Sequence, residues 1–140
     1  MTMRAIINSP AFFWIRIFGA FPVDKNVNYK KACAYTEELI RKGYNILIFP
    51  EGGITKDGNL QPGRPGIAYL SQKYDLPILP IAITGTYKLT VKKFLLRKNR
   101  VRVHIGAKFY YRDVAQQNDN LREAAQKIMH RVNCLLTKSD

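Results

Sequence analysis

The residues Phe49-Pro50-Glu51-Gly52 close the apolar run Ile46-Leu47-Ile48 and open onto a glycine-rich turn, Gly52, Gly53 and then Lys56-Asp57-Gly58. A carboxylate where an apolar strand breaks into such a turn stands where an α/β sheet holds its ligand, just beyond the carboxyl end of a strand. A strand end is a common feature, but here it has company. Two cations, Lys25 and Arg64, and a second proline-framed apolar run, Leu76-Pro77-Ile78-Leu79-Pro80-Ile81, strengthen the case for a ligand site.

The elements that must position these residues follow from periodicity and punctuation. Ser9-Pro10 marks a helix start, with a hydroxyl cap and proline at the first helical position, and Gly19 is a stop. Residues 11–18 between them are apolar nearly all round, which suits either a buried core helix or a segment dipping into a lipid interface. An extended link over 21–25 leads to a helix over 28–42, with Ala32, Tyr35, Leu39 and Ile40 on one face and Gly43 at its end. Residues 45–49 read as a strand, 65–74 as a helix with proline in its first turn, and 77–84 as a buried strand. Val101, Val103 and Ile105 alternate with Arg102 and His104, the period of a half-exposed strand on which His104 faces solvent. Asp119 or Asn120 caps a last helix whose Leu121, Ala125, Ile128, Val132 and Leu135 share a face, with His130 on its surface. Strands alternating with helices predict an α/β fold, a mainly parallel central sheet flanked by helices. No repeat or linker divides residues 1–140, so one domain is expected.

The chain has 140 residues, the size of one domain with a core of its own. Its 23 Lys and Arg against 10 Asp and Glu leave a net charge of +13, which calls for an anionic partner. Charge alone does not choose among a phospholipid surface, a phosphorylated substrate, an acidic carrier protein and nucleic acid. Cys33 and Cys134 lie far apart without metal-ligand or disulfide spacing, so no metal site is expected and a reducing compartment is. No secretory leader is evident, and no apolar run approaches the roughly 18 residues of a spanning helix.

The segment 19–25 (Gly19-Ala20-Phe21-Pro22-Val23-Asp24-Lys25), then Phe49-Pro50-Glu51-Gly52, then Arg64-Pro65-Gly66, then the run 76–81 stand in the order and spacing of the phospholipid/glycerol acyltransferases, which include the lysophosphatidic acid acyltransferases. The chain resembles that family over residues 4–108 or so. The resemblance implies a glycerol-3-phosphate acyltransferase-like fold. It also implies transfer of an acyl group from a coenzyme A or acyl-carrier-protein thioester, a donor substrate and not a bound cofactor, to a lysophospholipid or glycerol phosphate hydroxyl. On that basis Phe49, Pro50, Glu51 and Gly52 form the substrate-binding turn, Glu51 contacts acceptor hydroxyls, and Lys25 and Arg64 offer charge to the phosphate.

The resemblance also has a gap. In the family a histidine of an H-x-x-x-x-D motif deprotonates the acceptor hydroxyl, its aspartate orienting the imidazole. Here Phe109 and Leu135 stand five residues after His104 and His130, so no catalytic residue is assigned. The first residue falls within the stretch that follows that histidine in the family. An N-terminally truncated, partial acyltransferase domain, inactive alone, is therefore expected, with an open sheet edge and some exposed apolar surface. A non-catalytic, basic remnant that binds membrane or phospholipid is the alternative. The family's usual Thr-Arg after the glycine is replaced by Gly53-Ile54, and Lys25 stands where arginine is usual.

Seven cations, Lys88, Lys92, Lys93, Arg97, Lys98, Arg100 and Arg102, interleave with Val91, Phe94, Leu95 and Leu96 and with no acid. Apolar anchors among cations suit an anionic bilayer, where each cation adds about 1 kcal/mol. Phe12, Phe13, Trp14, Lys92, Lys93, Arg97 and Lys98 are the expected membrane contacts, at the cytoplasmic face as a peripheral protein. No RRM, KH or helix-turn-helix signature accompanies the charge, so nucleic acid is not the expected partner.

Overall fold

The computed structural model describes Phe21, residues 28–55, 57–90, Leu96 and residues 100–137. The expected elements at 9–19 and most of 21–25 lie outside the described residues, as do Lys25 and all seven expected membrane contacts.

Helix α1 (Tyr29–Arg41) begins at Asn28, whose side chain accepts a hydrogen bond from the Lys30 N–H at 3.0 Å. It ends at Gly43, whose φ of +81° costs a glycine nothing and lets the next N–H, of Tyr44, reach the Leu39 carbonyl at 3.1 Å. Helix α2 (Pro65–Tyr74) starts on proline, whose missing N–H would have had no helical partner at that position. Helix α3 (Leu121–Thr137) has a reciprocal cap: Asn120 Oδ1 accepts from the N–H groups of Arg122 and Glu123, and the Glu123 carboxylate accepts from Asn120 N–H, each at 3.0 Å.

Strands β1 (Ile81–Thr84) and β2 (Arg102–Ile105) pair antiparallel, with Ile81 opposite Ile105 and Ile83 opposite Val103. A lone bridge continues the pairing at Ile78 and Phe109. Residues 77–84 were expected to be one buried strand, but only 81–84 make a ladder. Pro80 interrupts it because it has no N–H to donate, although its carbonyl still accepts from Gly106 N–H at 3.0 Å. Among the described residues, 45–49 join no ladder.

The core lies between α2 and α3, where Ala68, Phe109, Ala124, Ala125 and Ile128 are buried together. Small residues on both helices let the backbones approach, and Ile128 and Phe109 fill the remaining space. α3 in turn packs on the sheet, and α1 packs on the far side of α2. At that contact the Cys33 thiol lies where a Cβ on Gly66 would be 3.2 Å away. Burial pushes the thiol's pKa up, with the nearby Glu37 charge adding to the shift.

Two faces differ from expectation. On α1 the buried residues are Cys33, Thr36 and Glu37, whereas Tyr35 is 53% exposed. The reason is an ion-pair network: Glu37 Oε2 accepts from Lys73 Nζ at 2.8 Å and from the Tyr74 hydroxyl at 3.0 Å, with Arg41 at 3.4 Å. A carboxylate with partners on α2 turns inward and takes the helix face with it. On β2, His104 is half-buried on the side of Ala82, with Nε2 3.4 Å from Thr84 Oγ1, while Val103 and Ile105 face out. His130 is exposed on α3, as expected.

The Lys73, Tyr69 and Tyr74 bonds hold the Glu37 carboxyl down at about 2, against an ordinary 4.5. A lowered carboxylate pKa stabilises the fold above the ordinary value, and that contribution is lost as pH falls through the folded value. Glu37→Gln is expected to cost about 1–3 kcal/mol at pH 7, the usual penalty for unsatisfying such a group. The gap between variant and wild type should close as pH falls from 4.5 towards 2. Denaturant titrations at several pH values measure both effects.

Candidate functional site

The turn at Phe49–Gly52 is closed by the Gly52 N–H, which donates to the Phe49 carbonyl at 3.0 Å. Gly52 adopts φ +63°, a left-handed conformation that glycine accepts without strain. Its missing side chain also makes room for Arg64: a Cβ there would lie 2.5 Å from Arg64 Nε and 2.6 Å from Cδ. The arginine therefore lies across the glycine of the turn.

Two bonds tie the loop's ends. Glu51 Oε2 accepts from the Gln61 N–H at 2.7 Å, and the Pro50 carbonyl accepts from the Arg64 N–H at 2.9 Å. Between them the loop is organised by Asp57, which accepts from the Thr55 hydroxyl at 2.8 Å, from Asn59 N–H at 3.1 Å, and from the Asn59 and Gln61 side-chain amides. The Asn59 and Thr55 bonds hold its carboxyl at about 2. Gly58, at φ +88°, leaves space for the Tyr87 ring, which backs the loop from the strand side.

Arg64 is placed from behind by Gly63. A Cβ on Gly63 would meet Ala125 O at 3.0 Å and Met129 Cγ at 2.5 Å, so the chain lies directly on α3 there. Gln126 Nε2 donates to the Gly63 carbonyl at 3.2 Å and fixes that contact. The next residue, Arg64, is exposed and is the N-cap of α2, and no side chain caps the helix. Among the described residues its guanidinium has neither ion-pair nor hydrogen-bond partner, and Glu51 does not pair with it. An uncompensated guanidinium beside an uncapped helix N-terminus is equipped to bind an oxyanion.

Of the expected site, then, the structure brings together Pro50, Glu51, Gly52 and Arg64. Phe49 precedes them and is 66% exposed, and Lys25 lies outside the described residues. Gln61 and Gly63 belong to the same construction, and neither carries a local signal. Glu51 spends one oxygen on Gln61, and Oε1 remains without a partner among the described residues.

The profile of the acyltransferase family matches residues 2–84, more than half of the chain. The chain belongs to that family. The matched span contains the Glu51 turn, Arg64 and β1. Among curated proteins this acyltransferase-family chain is similar to a chloroplastic 1-acyl-sn-glycerol-3-phosphate acyltransferase of Brassica napus, 32% identical over 109 residues. It is 36% identical over 104 residues to a chloroplastic one of Arabidopsis thaliana, and 26% over 129 residues to that of Streptococcus pneumoniae. These alignments cover 72%, 69% and 91% of the chain, but only 31%, 28% and 45% of the respective relatives. The chain thus spans between about a quarter and a half of their length. No solved structure matches it.

Glu51→Ala removes the acceptor for the Gln61 amide while leaving the Arg64–Pro50 bond. The Gln61 amide is expected to exchange with solvent about tenfold faster or more, tenfold corresponding to about 1.4 kcal/mol of lost local stability, while amides of α3 keep their protection. Residue-resolved hydrogen exchange measures it.

Proposed function

We propose that this chain carries the acceptor-binding part of an acyltransferase of phospholipid synthesis. The acceptor is a lysophospholipid or glycerol phosphate, of the kind named in the relatives' descriptions. The donor is an acyl-CoA or acyl-carrier-protein thioester. The observation that carries the proposal is the pairing of Arg64 with Gly52 beside the Glu51 carboxylate, inside the span that defines the family.

The chemistry sorts itself by charge. Arg64 and the first-turn N–H groups of α2 face a phosphate monoester, and the planar guanidinium can meet two of its oxygens at once. Glu51 Oε1 accepts from a glycerol hydroxyl, holding that end of the acceptor in register while the phosphate is clamped. In the transfer, the acceptor hydroxyl oxygen bonds to the thioester carbonyl carbon, the C–S bond breaks, and the hydroxyl proton leaves with the thiol. That proton needs a base, and no H-x-x-x-x-D motif stands in this sequence to supply one. We therefore assign these residues recognition and not proton transfer.

The fold proposal is a mainly parallel sheet. Residues 45–49 and 77–84, joined through helix α2, would make a strand–helix–strand unit with its strands side by side in the same direction. At the membrane, Lys92, Lys93, Arg97 and Lys98 would meet an anionic lipid surface at the cytoplasmic face. Among the described residues no helix is long and apolar enough to cross a bilayer.

Arg64→Ala is expected to weaken binding of glycerol 3-phosphate or lysophosphatidic acid by about tenfold to a hundredfold, the worth of a charge-assisted contact, with Arg64→Lys falling between. Calorimetric titration measures this, and equal affinity in all three proteins would overturn the assignment. The purified chain, given lysophosphatidic acid and an acyl thioester, is expected to yield no product. Product formation that is abolished in Glu51→Ala would mean that these residues suffice for catalysis. Replacing Lys92, Lys93, Arg97 and Lys98 by alanine should release the chain from anionic vesicles at lower salt. Stronger salt-sensitive retention on DNA than on vesicles would favour nucleic acid.

A further inference from the structure

Helix α3 serves the candidate acceptor site with one face only: Ala125, Gln126 and Met129 meet Gly63 there. Roughly opposite, Lys127, His130, Arg131 and Cys134 fall at i, i+3, i+4 and i+7 and share a second face. The first three line a groove together with Asp113 and Val114. His130 and Cys134, on consecutive turns, form a pair, with Nε2 of the one 3.7 Å from Sγ of the other. Imidazole nitrogen and thiolate sulfur are both ligands of choice for zinc. A tetrahedral zinc ion, with Zn–N of about 2.0 Å and Zn–S of about 2.3 Å, holds two such atoms about 3.6 Å apart. The pair already stands at that spacing.

We infer that His130 and Cys134 chelate a zinc-class divalent cation. The pair is accessible, His130 being exposed and Cys134 partly so. The two cations on the same face are engaged elsewhere. Lys127 Nζ holds both Asp119 oxygens, at 2.7 and 2.9 Å, and the Arg131 guanidinium lies over the Phe109 ring, 5.7 Å from its centroid. Asp113 adds a negative charge to the groove beside His130. Cys134 also stands three residues before the end of α3, where the carbonyl end of a helix favours positive charge. Among the described residues no third histidine, cysteine or carboxylate gathers with the pair, so water takes the ion's other two positions. Cys33 is buried at the α1–α2 contact and His104 faces the helices, so neither offers a rival site. An ion across residues 130 and 134 staples the end of α3. Leu135, in that stretch, packs on the sheet: a Cβ on Gly106, just after β2, would lie 3.0 Å from its Cδ2. Metal occupancy thus fixes the end of α3 against the sheet.

Calorimetric titration of the reduced, chelator-stripped chain with Zn²⁺ is expected to show one equivalent bound. His130→Ala and Cys134→Ala should each weaken that binding by about a hundredfold, the ordinary worth of joining two binding groups. With Co²⁺ in place of zinc, the wild type should show thiolate-to-cobalt charge-transfer absorption that Cys134→Ala lacks. Cys134→His, which sets two imidazoles at the same spacing, should restore zinc binding without that absorption. Zinc should also slow amide exchange at residues 135–137 in the wild type and not in Cys134→Ala. Should the alanine variants fail to fold, Cys33→Ser decides the matter: its charge-transfer absorption persists if Cys134 is the ligand and vanishes if Cys33 is. The inference is overturned if no stoichiometric binding occurs, or if binding is unchanged in both alanine variants, which would put the ion elsewhere. Arg64→Ala should leave zinc binding intact, so this site and the acceptor site stand or fall separately.

Discussion

The contact of Gly63 with α3 holds the candidate site in place. With no side chain between them, the backbone entering α2 lies against Ala125 and Met129, and Gln126 pins its carbonyl. Arg64 follows immediately, so its position is inherited from the α2–α3 core. That core of alanines, Ile128 and Phe109 is small, but it joins two helices packed directly on each other. A guanidinium borne on such a base loses less freedom on binding an anion than one on a free loop, which favours affinity.

Charge is distributed to the same end. Glu37 is consumed by Lys73, Asp75 by Arg112 and Asp119 by Lys127, each pair joining elements of the scaffold. Asp57 is saturated by its own loop. With these acids committed to structure, Arg64 is left uncompensated where the turn and the helix N-terminus meet. The surplus of cations over acids is thus more than a bulk property of the chain. Among the described residues it leaves the Arg64 guanidinium without an ionic partner where the turn meets the N-terminus of α2.

The two sides of the sheet tell a related story. Pairing of β1 with β2 satisfies backbone groups but leaves Ile83, Val103 and Ile105 outward, while the helices claim the side with Ala82. A strand's alternation shows that two faces differ, but not which of them meets the core. The polar-looking member of β2, His104, went inward because Thr84 stands on the same face as a hydrogen-bonding neighbour. Its apolar neighbours then had to face the other way.

The sequence by itself determined the three described helices and the family. The starts of α1, α2 and α3 were legible because Asn28 and Asn120 accept from N–H groups within three residues of themselves and Pro65 lacks an N–H where none is needed. Gly52 announced its turn for the same reason, since a left-handed backbone angle is a property of one residue. Only the tertiary structure decided that Glu37 is buried, that Tyr35 is not, that His104 faces the helices and that Glu51 brackets Gln61. Each of those outcomes rests on a partner ten or more residues away, brought near by packing. A side chain's polarity sets its cost of burial, but whether that cost is met depends on which groups the fold delivers to it.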